Sequence, residues 1–138
     1  MENPRVLEVI ALRSGPAYQA AEALRRKKFG GAKGAKQISA KPGSAEYAAL
    51  RLLIGTWDAI AHQILALPDR ERVPFYETNP IGYMWKLLEP AIIQIRKEVG
   101  KQYAKRFEDL YKAYAAWLAQ QPADYQTAAD NGLSAQFG

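Results

Sequence analysis

The chain has 138 residues, of which 49% are hydrophobic, with a net charge of +5, one histidine and no cysteine. That length fits one domain able to bury roughly two-thirds of the surface its unfolded chain exposes. The lack of cysteine excludes a disulfide framework and thiolate zinc sites, and a lone His62 leaves little for histidine-based metal sites or Ser/His catalysis.

No metal or cofactor is therefore expected. Alanine supplies 24 of the hydrophobic residues; it favours helix but buries little, so the core must come from the aromatic and large aliphatic side chains. Residues 1–44 carry nine Lys and Arg against three Glu, whereas residues 45–138 carry ten against eleven acids. The positive charge is thus local.

Along the chain, Asn3 and Pro4 suit the cap and first position of a short helix carrying Val6, Val9 and Ile10. No N-terminal run is long and apolar enough for a signal segment or a membrane span, so a cytoplasmic setting is expected. Ser14-Gly15-Pro16 interrupts the helix, and Ser14 is expected to cap a second, alanine-rich stretch through Tyr18, Ala21 and Leu24 to Phe29. Residues 30–43 hold four glycines and a proline with no apolar period, which reads as a loop. Ser44 caps a helix from Ala45 to about Leu67, whose Leu50, Leu53, Ile54, Trp57, Ile60, Ala61 and Ile64 share one face.

Pro68 to Pro74 ends that helix, with Phe75 to Thr78 leading to Asn79, expected to cap the next with Pro80 at its first position. Met84, Leu87, Leu88, Ala91, Ile92, Ile95 and Val99 follow helical spacing, and Pro90 should bend that helix by removing the hydrogen bond to the carbonyl of Lys86. Beyond Gly100 the stripe continues through Tyr103, Phe107, Leu110, Tyr114 and Trp117, with Tyr111 partly off it. Residues 122–138 read as a tail on a helical domain of residues 1–121. The fold class is all-α: a three- to four-helix bundle with a kinked or broken first helix and a proline-kinked third helix.

The segment around Trp85, Leu88, Pro90, Ile92 or Ile93, and Arg96, together with Leu53-Ile54-Gly55-Thr56-Trp57-Asp58, resembles the central pattern of a bacterial family of small helical domains of unknown function. The chain departs from it at Gly55, where a polar residue is more usual, and in lacking a hydrophobic N-terminal segment. The resemblance implies an all-α fold and carries no activity.

Candidate chemistry is sparse. Gly30-x-x-x-Gly34-x-Lys36 has the wrong order for a phosphate-cradling loop and follows a helix rather than a strand. Asp58 and His62, four residues apart, suit an ordinary surface pair, as do Glu98 with Lys101 or Gln102 and Glu108 with Lys105 or Lys112. Asp58 and Arg96 are expected to form an ion pair at the edge of a seam between their helices. The least ordinary feature is Arg25, Arg26, Lys27, Lys28, Lys33, Lys36 and Lys41, seven cations with no intervening acid. Such a segment can follow a phosphate backbone. The leading expectation is a non-enzymatic module that binds another macromolecule, foremost a protein. The alternatives are nucleic acid or another polyanion held by residues 25–41, and an enzyme with an unrecognised site. Nothing in the length forces a homo-oligomer or excludes one.

Overall fold

The computed structural model describes residues 4–30 and 40–126, and these are helical with no strand among them. The order is α1 (Pro4–Leu12), α2 (Pro16–Phe29), α3 (Ala45–Leu65), α4 (Asp69–Thr78), α5 (Ile81–Val99) and α6 (Lys105–Leu118), with a helical turn over 123–126. Among the described residues no helix is long and apolar enough to cross a membrane.

Local chemistry sets several boundaries. Ser44 caps α3 as expected, its hydroxyl accepting from Tyr47 N at 3.1 Å. Two other expected caps act backwards. The Ser14 hydroxyl donates to Ile10 O at 2.6 Å and closes α1, leaving Gly15 at the N-cap of α2. The Asn79 amide donates to Phe75 O at 2.9 Å and closes α4, while Pro80 precedes α5. Either residue type can satisfy the end of one helix or the start of the next. The outcome at Asn79 is fixed from outside, since Arg13 Nε donates to its Oδ1 at 3.0 Å.

Helix α4 is a correction to the sequence reading, which ended the preceding helix at Pro68 to Pro74 and left the following residues as a connection. Asp69 and Glu71 occupy its first turn, where a helix N-terminus favours negative charge. Pro74 forgoes one intrahelical hydrogen bond, and burial of Phe75 and Tyr76 offsets that loss. Arg72 adds a tertiary tie: its guanidinium donates to Leu67 O and Leu65 O at 2.8 and 3.0 Å, satisfying carbonyls at the end of α3.

Helix α3 lies at the centre, in contact with α1, α2, α4, α5 and α6. Leu53, Ile54, Trp57, Ile60, Ala61 and Ile64 are fully buried on it. The aromatic stripe of α6 faces inward. Phe107 stacks on Trp57 at 5.7 Å between centroids and meets Trp85 edge-on at 5.2 Å; Tyr111, half-buried, stacks on Trp85. Farther along, Tyr76, Tyr114, Trp117 and Tyr125 form a second cluster. Each such pair adds about 0.5–1.5 kcal/mol beyond the area it buries. Helix α5 runs unbroken through Pro90 and buries Met84, Leu87, Leu88, Ala91, Ile92 and Ile95. Val99, expected in the core, is exposed at the last position of α5, where residues 97–100 all face solvent.

Two helical glycines should respond oppositely to a methyl group. At Gly82 a Cβ would stand 2.9 Å from Tyr114 Cε2, in a ring packed against Tyr76 and Trp117. Gly82→Ala should therefore destabilise by about 1–3 kcal/mol through overpacking. At Gly55, inside α3, a Cβ meets nothing within 4 Å, so Gly55→Ala should stabilise by about 0.5–1 kcal/mol. Urea denaturation of both variants checks the sign as well as the size.

Candidate functional site

The acid-free cationic stretch divides between core and surface. Arg25, expected on the binding surface, is only 1% exposed. It falls on the face of α2 that also buries Tyr18, Ala21 and Glu22. Its Nε pairs with Glu22 Oε1, and its Nη1 donates to Gly30 O at 2.8 Å. The pairing makes a buried guanidinium tolerable, and it removes Arg25 from the surface set.

Arg26, Lys27 and Lys28 are exposed at the end of α2, and Lys41 is exposed before α3. Lys33 and Lys36 lie outside the described residues. Lys41 is positioned by its neighbour Ala40, whose N–H donates to Gln94 Oε1 at 3.3 Å and whose carbonyl accepts from Gln94 Nε2 at 3.0 Å. Lys28 and Lys41 thereby line one open cavity of ≈ 210 Å³, together with Ser44 and Glu46. Two cations that are distant in sequence converge there, beside one carboxylate.

A second, more enclosed cavity of ≈ 90 Å³ lies at the root of α2, lined in part by Arg13, Tyr18, Glu22, Arg26 and Trp57. The Trp57 indole N–H donates to the Tyr18 hydroxyl at 2.9 Å. Burial, reinforced by the nearby Glu22 carboxylate, pushes the Tyr18 phenol up to about 12, so it keeps its proton at neutral pH. Arg13 donates to two neutral acceptors, Asn79 Oδ1 and Thr78 O, each at 3.0 Å. Nothing in the periodicity pointed to this cavity. The Glu22 and Arg25 spacing was legible, but the approach of Tyr18 to Trp57 joins residues far apart in the chain.

His62 does not pair with Asp58. It is exposed and lines a third cavity of ≈ 240 Å³, open to solvent and floored by Val9 and Phe75. Among the described residues no group of three or more His, Asp or Glu converges as a metal site would require.

Asp58 and Arg96 do not form the expected ion pair, because each finds a closer partner at the start of α6. Ala104, the N-cap of α6, has no side-chain acceptor and sits in the left-handed region at φ 60°. Asp58 supplies the missing cap from α3, accepting from Phe107 N at 3.0 Å. Arg96 Nε donates to Tyr103 O at 2.8 Å, and its Nη2 lies 2.8 Å from Glu108 Oε1, an ionic contact rather than a well-directed hydrogen bond. Lys112 and Lys105 also reach Glu108, at 2.9 and 3.7 Å, as the helical spacing predicts. Glu98 accepts instead from the Tyr47 hydroxyl at 3.3 Å. Over the same corner, the Arg51 guanidinium lies 4.7 Å from the centroid of the Tyr103 ring. Burial pushes the Tyr103 phenol up to about 12.

Comparison of the chain with protein-family models, with curated proteins and with solved structures finds no match in any of the three.

Two measurements follow from the α6 corner. Asp58→Ala should cost about 0.5–2 kcal/mol, the usual penalty for a lost N-cap. Asp58→Asn, which keeps an acceptor oxygen, should cost less, and equal losses would argue against capping. The Lys112 ammonium, followed by Arg96, holds the Glu108 carboxyl down from 4.5 to about 2. The folded state thus binds that proton more weakly than the unfolded state, so the stabilisation is complete above about 4.5 and disappears as pH falls towards 2. The stability difference between wild type and Glu108→Gln should shrink across that window in denaturation curves taken at successive pH values.

Proposed function

We propose that this chain is a non-enzymatic helical module that binds another macromolecule, and that it does so through the cationic end of α2. The observation that carries this reading is the exposure of Arg26, Lys27, Lys28 and Lys41, with Lys28 and Lys41 on one cavity. These four cations outnumber the one carboxylate, Glu46, that lines the cavity with Lys28 and Lys41, and such an excess gains most from a polyanion, which loses condensed counterions as each phosphate is neutralised. A nucleic-acid backbone therefore fits this surface better than a neutral protein face.

A protein partner, the leading expectation from sequence, drew on the aromatic helix. The rings of α6 are buried or half-buried against α3, α4 and α5. What is left for such a partner among the described residues is a set of exposed large apolar side chains, Leu7, Leu12, Leu52, Ile93, Val99 and Tyr125, spread over α1, α3, α5 and the turn after α6. Exposure of this kind is ordinary on a soluble surface. The reading also includes a cytoplasmic setting, membership of the bacterial helical family resembled around Trp85 and Pro90, and a three- to four-helix bundle with a kinked or broken first helix and a kink at Pro90 in the helix that carries it.

The test is titration of a labelled single-stranded oligonucleotide at several salt concentrations, with wild type and the triple variant Lys27→Ser, Lys28→Ser, Lys41→Ser. Stability should change by less than about 0.5 kcal/mol per site, as is usual for exposed positions. Affinity should fall, and loss of three phosphate contacts should reduce the salt slope by about 2. Unchanged affinity and slope would reject the cationic surface. A protein that co-purifies and resists high salt would favour the protein-binding alternative.

A further inference from the structure

The enclosed cavity at the root of α2 has an unusual balance of charge. Arg13 and Arg26 line it, and Arg25 stands behind Glu22, so three guanidinium groups gather around a single carboxylate. That carboxylate is already engaged, since Glu22 Oε1 pairs with Arg25 Nε. Arg25 Nη2 is buried and has no protein partner. Arg13 is drawn to neutral oxygens, and no described ion pair engages Arg26. Burial lowers the Arg13 pKa, which is the effect of desolvating a cation that lacks a matching anion.

The neutral donors point the same way. The Tyr18 hydroxyl accepts from Trp57 Nε1, which leaves its own proton available, and its raised pKa keeps that proton in place. At ≈ 90 Å³ the cavity exceeds several-fold the ~10–15 Å³ that a single water needs. A small oxyanion fits that space. A cation or an apolar group would meet excess positive charge and unpaired donors.

We infer that this cavity is a seat for a small tetrahedral oxyanion, chemically a phosphate group, held by the Arg26 guanidinium and the Tyr18 hydroxyl with Arg13 contributing charge. The phosphate can be free in solution or be the terminal group of a nucleic acid. The seat shares Arg26 with the cationic end of α2 but stands without it, because its other groups come from the buried face of α2 and from the turn after α1.

The Trp57 indole N–H resonance reports on the seat directly, since Trp57 lines it and bonds to Tyr18. Inorganic phosphate titrated into full-length protein, with chloride at matched ionic strength as control, should shift that resonance saturably. Half-saturation should lie on the order of millimolar, the range for a few charge-assisted contacts. Arg26→Gln should weaken binding at least about tenfold, equivalent to ~1.4 kcal/mol. Lys28→Ser, which touches the other cavity, should leave it unchanged. A terminally phosphorylated oligonucleotide that shifts the same resonance, where its hydroxyl-ended counterpart does not, supports the seat and makes nucleic acid the source. Phosphate binding with no response to either oligonucleotide supports the seat and makes free phosphate the source. No shift beyond that of chloride, or an equal shift in Arg26→Gln, overturns the inference. Because the surface test leaves Arg26 intact, the two proposals can fail separately.

Discussion

The grip of two adjacent α3 residues on Phe107 is the constraint on which the rest depends. Trp57, fully buried, stacks on the Phe107 ring, while Asp58 accepts the Phe107 backbone N–H. One contact is dispersive and tolerates small slides; the other is a directed hydrogen bond and fixes register. On its other side the Trp57 indole bonds to Tyr18, which sets α2 against the same point of α3. Three helices are thereby aligned through one tryptophan, and Trp85 extends the alignment to α5 by meeting Phe107 edge-on. A buried indole N–H left without an acceptor would cost about 1–3 kcal/mol, so Tyr18 is part of the core's polar accounting as well as its packing.

The apolar face of α3, its Ser44 cap and most of the buried stripe on α5 could be read from spacing alone, because 3.6-residue periodicity survives whatever the helix later packs against. Position in the bundle was less legible. Ser14 and Asn79 are ambiguous in sequence, since a short polar side chain can close one helix as well as open another, and tertiary contacts such as Arg13 to Asn79 decide. Helix α4 was hidden by Pro74, whose local penalty is outweighed by burial of Phe75 and Tyr76. The role of Asp58 was invisible for a different reason: its partner is a backbone amide 49 positions away.

The cationic stretch shows how charge counting along a chain can mislead. Four consecutive cations, Arg25 to Lys28, look equivalent in sequence, yet helical rotation sends the first into the core and leaves three in solvent. Burial of Arg25 has two effects. It ties down the C-cap of α2 through Gly30 O, and it leaves excess positive charge beside the cavity at the root of α2. The exposed and the enclosed cations meet at Arg26.

The borrowed cap at the start of α6 bears on how the chain folds. A helix that begins with a left-handed alanine and no acceptor of its own is poorly nucleated in isolation. Its first turn becomes favourable only once α3 is in place to provide Asp58, so α6 should form late and together with tertiary docking rather than as an autonomous unit. The Phe107 amide then exchanges its hydrogen with solvent only when α3 and α6 separate. Its exchange rate should report opening of the whole core, whereas amides in the exposed last turn of α5 report local fraying.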